Sequence, residues 1–402
     1  MNSYKDDSVN PDQTSNIEVI MDVIKNKKIN YELVTEIFRC LPKLGILKPI
    51  ELLDILTLEL KKKNLNEYIQ NLANINHFNF DKDNCIYHSE NQNFRIERFL
   101  KKGSYHDIFS GIDTNNDKII VIRKQREKNK TDLFDSISDF FIHSILSLYQ
   151  GKILINYKHY RGKLIIPKII SLGVNQSKNK ILGIMNIFNG TLLKIINYDK
   201  IELEIKLKVI FNCLNQIAYY LEHFQMIFKF NHNDLKINNI FYKSKYKLSE
   251  LNNENINEIR FFIADFGFSR IKLIHPTSKK KIKIIGGALV NYSRNKKLYS
   301  FIPGKDLYFL IHNLYAYSDD KLKEKLYDFK FLFNEFNLEL TKGDNWFKLY
   351  DDYQDHEEFH PKNFIKTLKN SKYSKYFIEL NELVNSDLIE NKITLNHFIK
   401  KN

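Results

Sequence analysis

His232-Asn233-Asp234-Leu235-Lys236-Ile237-Asn238-Asn239-Ile240, joined after an interval by Ile263-Ala264-Asp265-Phe266-Gly267, decides how the rest of this chain is read. Both stretches set short polar side chains beside strand-forming runs, Ile240 to Tyr242 and Arg260 to Ile263. A lone Asp or Asn in such a place caps a turn. Two sets in sequence order, each at a strand end, point instead to a built site. Directly upstream, Leu207, Ile210, Phe211, Leu214, Ile217, Ala218 and Leu221 recur at helical spacing, which predicts a long amphipathic helix from about Ile201.

Toward the N-terminus the pattern changes to alternation. Runs from Phe94 to Leu100, Asp107 to Ile112 and Lys118 to Lys124, the last two joined by an Asn115-Asn116-Asp117 turn, predict three antiparallel strands. A helical stretch at Asp132 to Tyr149 follows, then strand-like runs at Leu164 to Leu172 and Ile181 to Phe188. The expectation is a five-stranded sheet with one inserted helix. From Ile17 to about Ile75, apolar residues such as Ile17, Ile20, Met21 and Ile24 keep helical spacing, broken at Pro42 and Pro49. They are read as a helical module spanning 17–90, behind a polar tail at 1–16 whose apolar content is too small to offset ordering.

The 402 residues are 43% hydrophobic and 27% charged, an ordinary globular mix that predicts a mostly folded chain. No apolar run approaches the roughly 18 residues a bilayer span needs. The opening MNSYKDDSVNPDQTS is polar where a secretory signal is apolar, so neither a membrane span nor export is expected. Cys40, Cys85 and Cys213 lie far apart without metal or disulfide spacing, which fits a reducing, cytoplasmic compartment. A net charge of +14 favours acidic partners, but the lysines are scattered as on a solvated face, and nucleic acid is not the expected partner.

The two opening stretches closely resemble the catalytic loop and the Asp-Phe-Gly motif of eukaryotic protein kinases. The resemblance covers about residues 94 to 315 and is strongest from 210 to 270. It implies an α+β, two-lobed protein-kinase-like fold, with an antiparallel five-stranded N-lobe at 91–188 and a mainly helical C-lobe at 189–402 that diverges after about 315. The residues at 17–90 would be an N-terminal helical extension. It also implies transfer of the γ-phosphate of Mg-ATP to serine or threonine hydroxyls of a protein substrate, with ATP and Mg²⁺ as cofactors.

By that resemblance Asp234 would be the catalytic base, Lys236 would lie against the γ-phosphate, and Asn239 and Asp265 would hold Mg²⁺. A lysine at 236 resembles the serine/threonine class. Val121-Ile122-Arg123-Lys124 resembles the strand motif whose lysine, here Lys124, binds the α- and β-phosphates. Leu100-Lys101-Lys102-Gly103-Ser104-Tyr105-His106-Asp107-Ile108 resembles the glycine-rich loop, so Leu100, Gly103 and Ile108 would border ATP, with Lys101 and His106 where the first and third glycines stand. Ile184 to Leu192 resembles the hinge, with Met185 as gatekeeper and Asn186 and Phe188 offering backbone groups to adenine. Asp306, in Gly304-Lys305-Asp306-Leu307-Tyr308, would brace the catalytic loop, and His232 and Phe266 would be packing residues.

The departures from the family pattern are also specific. The inserted helix offers no glutamate for Lys124, only Asp135, Asp139 and Ser144 nearby, and Ile122 replaces the small residue over adenine. Asn233 replaces the arginine that reads a phosphorylated activation segment, which implies constitutive activity. An insertion near Lys243 to Glu258 is read as a surface loop, and no Ala-Pro-Glu motif precedes Asp306. Kinases so reduced resemble those of large DNA viruses, with the host cytoplasm or virion as location in that case. A pseudokinase scaffold is the alternative. After Asp265 the chain runs Arg270, Lys272, Lys279-Lys280-Lys281, Lys283, Arg294, Lys296 and Lys297 with no acid before Asp306, which predicts acidic protein substrates. The N-terminal helices have an unknown partner.

Overall fold

A computed structural model of the chain describes residues 75–103, 106–126, 136, 139–140, 142–143, 146–147, 166–175, 180–274, 281–286, 300–327 and 355–376. The alternating N-terminal runs pair into one curled sheet. Strands β1 (Ile75–Asp81), β2 (Ile86–His88), β3 (Asn93–Lys102), β4 (His106–Asp113), β5 (Lys118–Gln125), β6 (Ile169–Asn175) and β7 (Lys180–Asn186) lie in the order β1-β2-β3-β4-β5-β7-β6. Neighbours are antiparallel except β1 and β6, which pair in parallel and close the barrel.

The sheet therefore has seven strands and not five. Residues 75–90, assigned above to a helical module, instead carry the hairpin of β1 and β2. The cause is visible in residues 78–81, where Phe78 and Phe80 alternate with Asn79 and Asp81 at the strand period of two. The polar tail and the module's first part, residues 1–74, lie outside the described residues.

Strand β5 sets the two faces of the sheet. Ile120 and Ile122 point into the barrel and join Phe78, Tyr87, Phe94, Leu182 and Ile184 in a closed apolar core. Val121, Arg123 and Gln125 take the opposite face, beside Ser110, Ile108 and His106 of β4, while Met185 and Gly183 of β7 sit opposite Val121 and Arg123. Helical residues Ser136, Asp139, Phe140, Ile142, His143, Leu146 and Ser147, within the expected helix at 132–149, are buried on one side. The Phe140 ring lies on Gly183 so closely that a Cβ there would overlap it.

Among the described residues after β7, helices alternate with small sheets that place the motifs. In order come β8 (Gly190–Thr191), α1 (Leu192–Ile196), α2 (Leu203–Phe228), β9 (Ile240–Lys243), β10 (Arg260–Ile263), β11 (Arg270–Ile274), β12 (Lys281–Ile285), α3 (Lys305–Tyr317), α4 (Asp320–Leu326) and α5 (Pro361–Lys369). Helix α2 buries the stripe from Leu207 to Leu221 read from the sequence. It ends where Lys229 turns left-handed at φ 46° and its N–H reaches the Gln225 carbonyl at 3.0 Å. Among the described residues no helix is long and apolar enough to cross a membrane.

The insertion read as a surface loop is partly core. Leu248, Leu251 and Ile256 are buried, and Asn212 of α2 donates to the Ile256 carbonyl at 3.2 Å. Two short 3₁₀ turns, Leu248–Glu250 and Ile256–Glu258, form here, and the second lies against α2.

Gly183→Val should lower stability in urea unfolding by about 1–3 kcal/mol through overpacking. The loss should shrink in a Phe140→Ala background, because the ring it strikes is gone.

Candidate active site

The stretch 231–239 is irregular, and its backbone N–H groups need acceptors. Asp306, in the first turn of α3 and 1% exposed, supplies them: its carboxylate accepts from His232 N at 2.9 Å, Asn233 N at 2.9 Å and Asn231 Nδ2 at 3.1 Å. Asn313, further along α3, accepts from Ile237 N at 2.9 Å. Asn231 exchanges two hydrogen bonds with the Ile302 backbone, of 2.8 and 2.9 Å. Asn233 stands at φ 60°, a left-handed geometry that Asn tolerates better than most residues. The sequence identified Asp306 as a brace but missed Asn231 and Asn313, which carry no motif of their own.

Thus fixed, the loop brings its polar side chains together. Lys236 Nζ lies 3.0 and 2.8 Å from the two Asp234 oxygens, and Asn239 Nδ2 donates to Asp234 Oδ2 and to its carbonyl, both at 2.9 Å. Asp234 Oδ1 takes one donor and keeps acceptor capacity for a hydroxyl. Burial pushes the Asp234 carboxyl up from its ordinary value; Lys236 opposes the shift and the Asp265 charge adds to it. Burial works to lower Lys236, but the Asp234 carboxylate and then Asp265 outweigh it and hold it above the ordinary lysine range.

Asp265 follows the end of β10, where Ala264 N donates to the Asn239 carbonyl at 3.0 Å, and it turns left-handed at φ 71°. Its carboxylate and Asn239 Oδ1 are hard oxygen donors of the kind Mg²⁺ takes, because both Asn239 bonds use Nδ2. Among the described residues no group of three His, Cys, Asp or Glu could hold a metal alone. A cation here would draw its other ligands from water and phosphate oxygens, as Mg²⁺ commonly does.

On the sheet side the strand assignment shifts by one residue. Arg123, and not Lys124, faces the covering helix: its guanidinium meets the Asp139 carboxylate at 2.5 Å, with side chains 8% and 3% exposed. Lys124 shares the face of Ile120 and Ile122, opposite Asp107 of β4. Ile122 is accordingly buried in the barrel, and Val121 takes the Arg123 face, opposite Met185 of β7. The acid weighed for Lys124 exists, but it belongs to Arg123. Asp139 also accepts from Phe266 N at 2.8 Å through its other oxygen.

Phe266 fills the space behind that bond, its ring 5.1 Å from His143 and 5.4 Å from His232. His143 sits 2.7 Å from the Pro167 carbonyl and burial pushes its pKa down to about 3, so it is a neutral packing residue. Asn233 ties the following turn by donating to the Phe268 carbonyl at 2.9 Å. Farther on, Gly286 lies against Gly267 so closely that a Cβ would overlap its carbonyl. The hairpin of β11 and β12 therefore returns onto the Asp-Phe-Gly turn. Lys279, Lys280, Arg294, Lys296 and Lys297 lie outside the described residues.

The hairpin between β3 and β4 is tight, with Gly103 N donating to the His106 carbonyl at 2.8 Å. A Cβ on Gly103 would sit 2.9 Å from that carbonyl, so glycine is required by close approach. Arg126 pins the turn through the Gly103 carbonyl at 2.7 Å. His106 turns inward, 4% exposed, while Lys101 is exposed and Leu100 is 39% exposed. Ile108 is half-buried on the Arg123 face. At the other end of that face Asn186 closes β7, and the Phe188 ring packs 4.8 Å from Phe262 and 5.5 Å from Phe241. Phe241 and Phe262 were not singled out from the sequence; their place beside the motifs, on β9 and β10, was the available signal.

Arg123→Ala should cost about 3–5 kcal/mol in urea unfolding, because it leaves Asp139 buried and uncompensated. Asp306→Ala leaves three buried donors without their acceptor and should lower stability by roughly 3 kcal/mol on the same measurement.

The chain matches no protein-family model and no curated protein. Among solved structures it is similar to one described as the crystal structure of the BubR1 kinase domain, at a TM-score of 0.36 and 17% identity, over 54% of this chain and 60% of that one. The matched part spans less than two thirds of that structure, and a likeness of this degree assigns no function.

Proposed function

We propose that this chain is a kinase-like phosphotransferase that moves the γ-phosphate of Mg-ATP to serine or threonine hydroxyls of proteins. The observation that carries the reading is the Asp234, Lys236 and Asn239 constellation on a loop braced by Asp306, with Asp265 near enough to raise the Asp234 pKa. In this reading Asp234 Oδ1 accepts the proton of the attacking hydroxyl and orients its oxygen. Lys236, kept charged beside Asp234, covers charge developing on the transferred phosphoryl group. Asp265 and Asn239 Oδ1 would hold Mg²⁺, which when bound neutralises charge between the phosphates. Adenine would lie along the cleft face between Val121, Met185 and the chain at Asn186 to Phe188, with Leu100, Gly103 and Ile108 above it. Arg123 replaces Lys124 as the cation on the phosphate side.

One observation favours a second reading. Arg123 is already engaged by Asp139 and by His106, whose Nδ1 lies 3.2 Å from the guanidinium. A chain that uses this cation as an internal brace could serve as a scaffold that binds partners without efficient transfer.

Labelled ATP and Mg²⁺ with acidic casein or a basic histone separates the two. Transfer to serine and threonine of casein, weakening with salt as charges are screened, and abolished in Asp234→Asn, is the expected result. No transfer from the wild type to either protein or to itself would leave only the scaffold. The base must be ionised to act. Its raised pKa therefore makes kcat/KM fall, as pH is lowered, sooner than an unperturbed aspartate would allow. Asp234→Asn should stay folded at neutral pH. A carboxyl whose pKa rises on folding contributes fully below its unfolded value and loses that contribution as pH rises through the folded one.

A further inference from the structure

The face of the sheet that runs from Met185 to His106 ends in a corner built of three side chains. His106 Nδ1 lies 3.2 Å from Arg123, Arg123 is bound to Asp139, and Asp139 holds the backbone N–H of Phe266, the residue after Asp265. A contact chain thus leads from the candidate metal carboxylate to the tip of the β3–β4 hairpin. The Phe140 ring closes the corner, with its centroid 5.2 Å from that of His106 and 4.9 Å from the Arg123 guanidinium carbon.

His106 fills this corner completely. It is 4% exposed, and its Nε2 is buried without a hydrogen-bond partner among the described residues. Facing it are the Arg123 guanidinium from β5 and the Phe140 ring from the covering helix, so the imidazole is held neutral by burial first and by the adjacent positive charge second. With Nδ1 accepting from Arg123, Nε2 carries the hydrogen and has nothing to donate to. A buried donor left unmade is costly, and that cost offsets part of what the ring gives up on leaving, its contact with Arg123 and its packing on Phe140. Resting on the phosphotransferase reading, we propose that His106 is a plug: its imidazole occupies the space the nucleotide phosphates would take, and the triphosphate enters only when the ring swings out and uncovers the Arg123 guanidinium, which Asp139 continues to hold.

The consequence is a selective penalty on phosphates. Adenosine, lying toward Met185, needs no movement of His106; ATP binds only the open fraction, which weakens its apparent affinity by that fraction. Calorimetric titration of the full chain with ATP plus Mg²⁺, and with adenosine, tests this in the wild type, His106→Gly and His106→Ala, each checked for an unchanged thermal unfolding transition. The expected result is a gain in ATP affinity of about tenfold or more in both variants, with adenosine changed by less than about twofold. Equal ATP affinity in wild type and variants, or weaker affinity in the variants as expected for a phosphate ligand, overturns the plug and leaves the phosphotransferase reading standing. If no variant binds either nucleotide, both fail together. A gain shared equally by adenosine overturns the plug as well, since it would mark general loosening of the sheet.

Discussion

One carboxylate, that of Asp139, joins the parts on which the candidate site depends. Its two oxygens serve two different elements: one meets the Arg123 guanidinium on β5, the other the backbone N–H of Phe266. Burying both charges is expensive, and a buried pair offsets that expense only when its geometry is good and its remaining lone pairs are used. The Phe266 N–H supplies that second use. The sheet, the covering helix and the Asp-Phe-Gly turn are thereby positioned by a single side chain, and with them Asp265. Aspartate suffices where a longer acid was expected because its partner is arginine, whose forked and longer side chain covers the missing methylene.

A second carboxylate, Asp306, does the same work on the other side without touching the sheet. It gathers the N–H groups of His232 and Asn233 and the Asn231 amide, and so determines the direction in which Asp234 projects. Asn233 and Asp265 both hold left-handed backbone, and each sits beside one of these anchors. Strained backbone persists only where its surroundings over-determine it. Here the two buried acids provide that surrounding, one for each motif.

These arrangements were unequally legible in the sequence. The loop from His232 to Asn239 and the turn at Asp265 are local, and residue order alone brings their side chains near. Strand β5 is different: Ile120, Val121, Ile122, Arg123 and Lys124 read equally well in either register, because both faces are largely covered. Only the helix carrying Asp139 and Phe140 distinguishes them, and its contact with β5 is not written in either segment. The hairpin of β1 and β2 was missed because helical spacing upstream was extended through Phe78 and Phe80, whose period is two. The insertion at 243–258 was read as a surface loop from the long interval between Asn239 and Asp265, while Leu248, Leu251 and Ile256 are sparse enough to escape a periodic pattern.

The polar anchors of the loop at 231–239 and of the corner at Arg123 are different side chains. Asp234, Lys236 and Asn239 depend on α3 through Asp306 and Asn313, and none of those bonds passes through the sheet. Arg123, His106 and Phe140 come from β5, β4 and the covering helix and pack on one another, with the Arg123 to His106 contact as the polar one. The Asp139 to Phe266 bond is the polar contact by which the corner around Arg123 meets the Asp265 turn, beside the packing of His143 on the Phe266 ring.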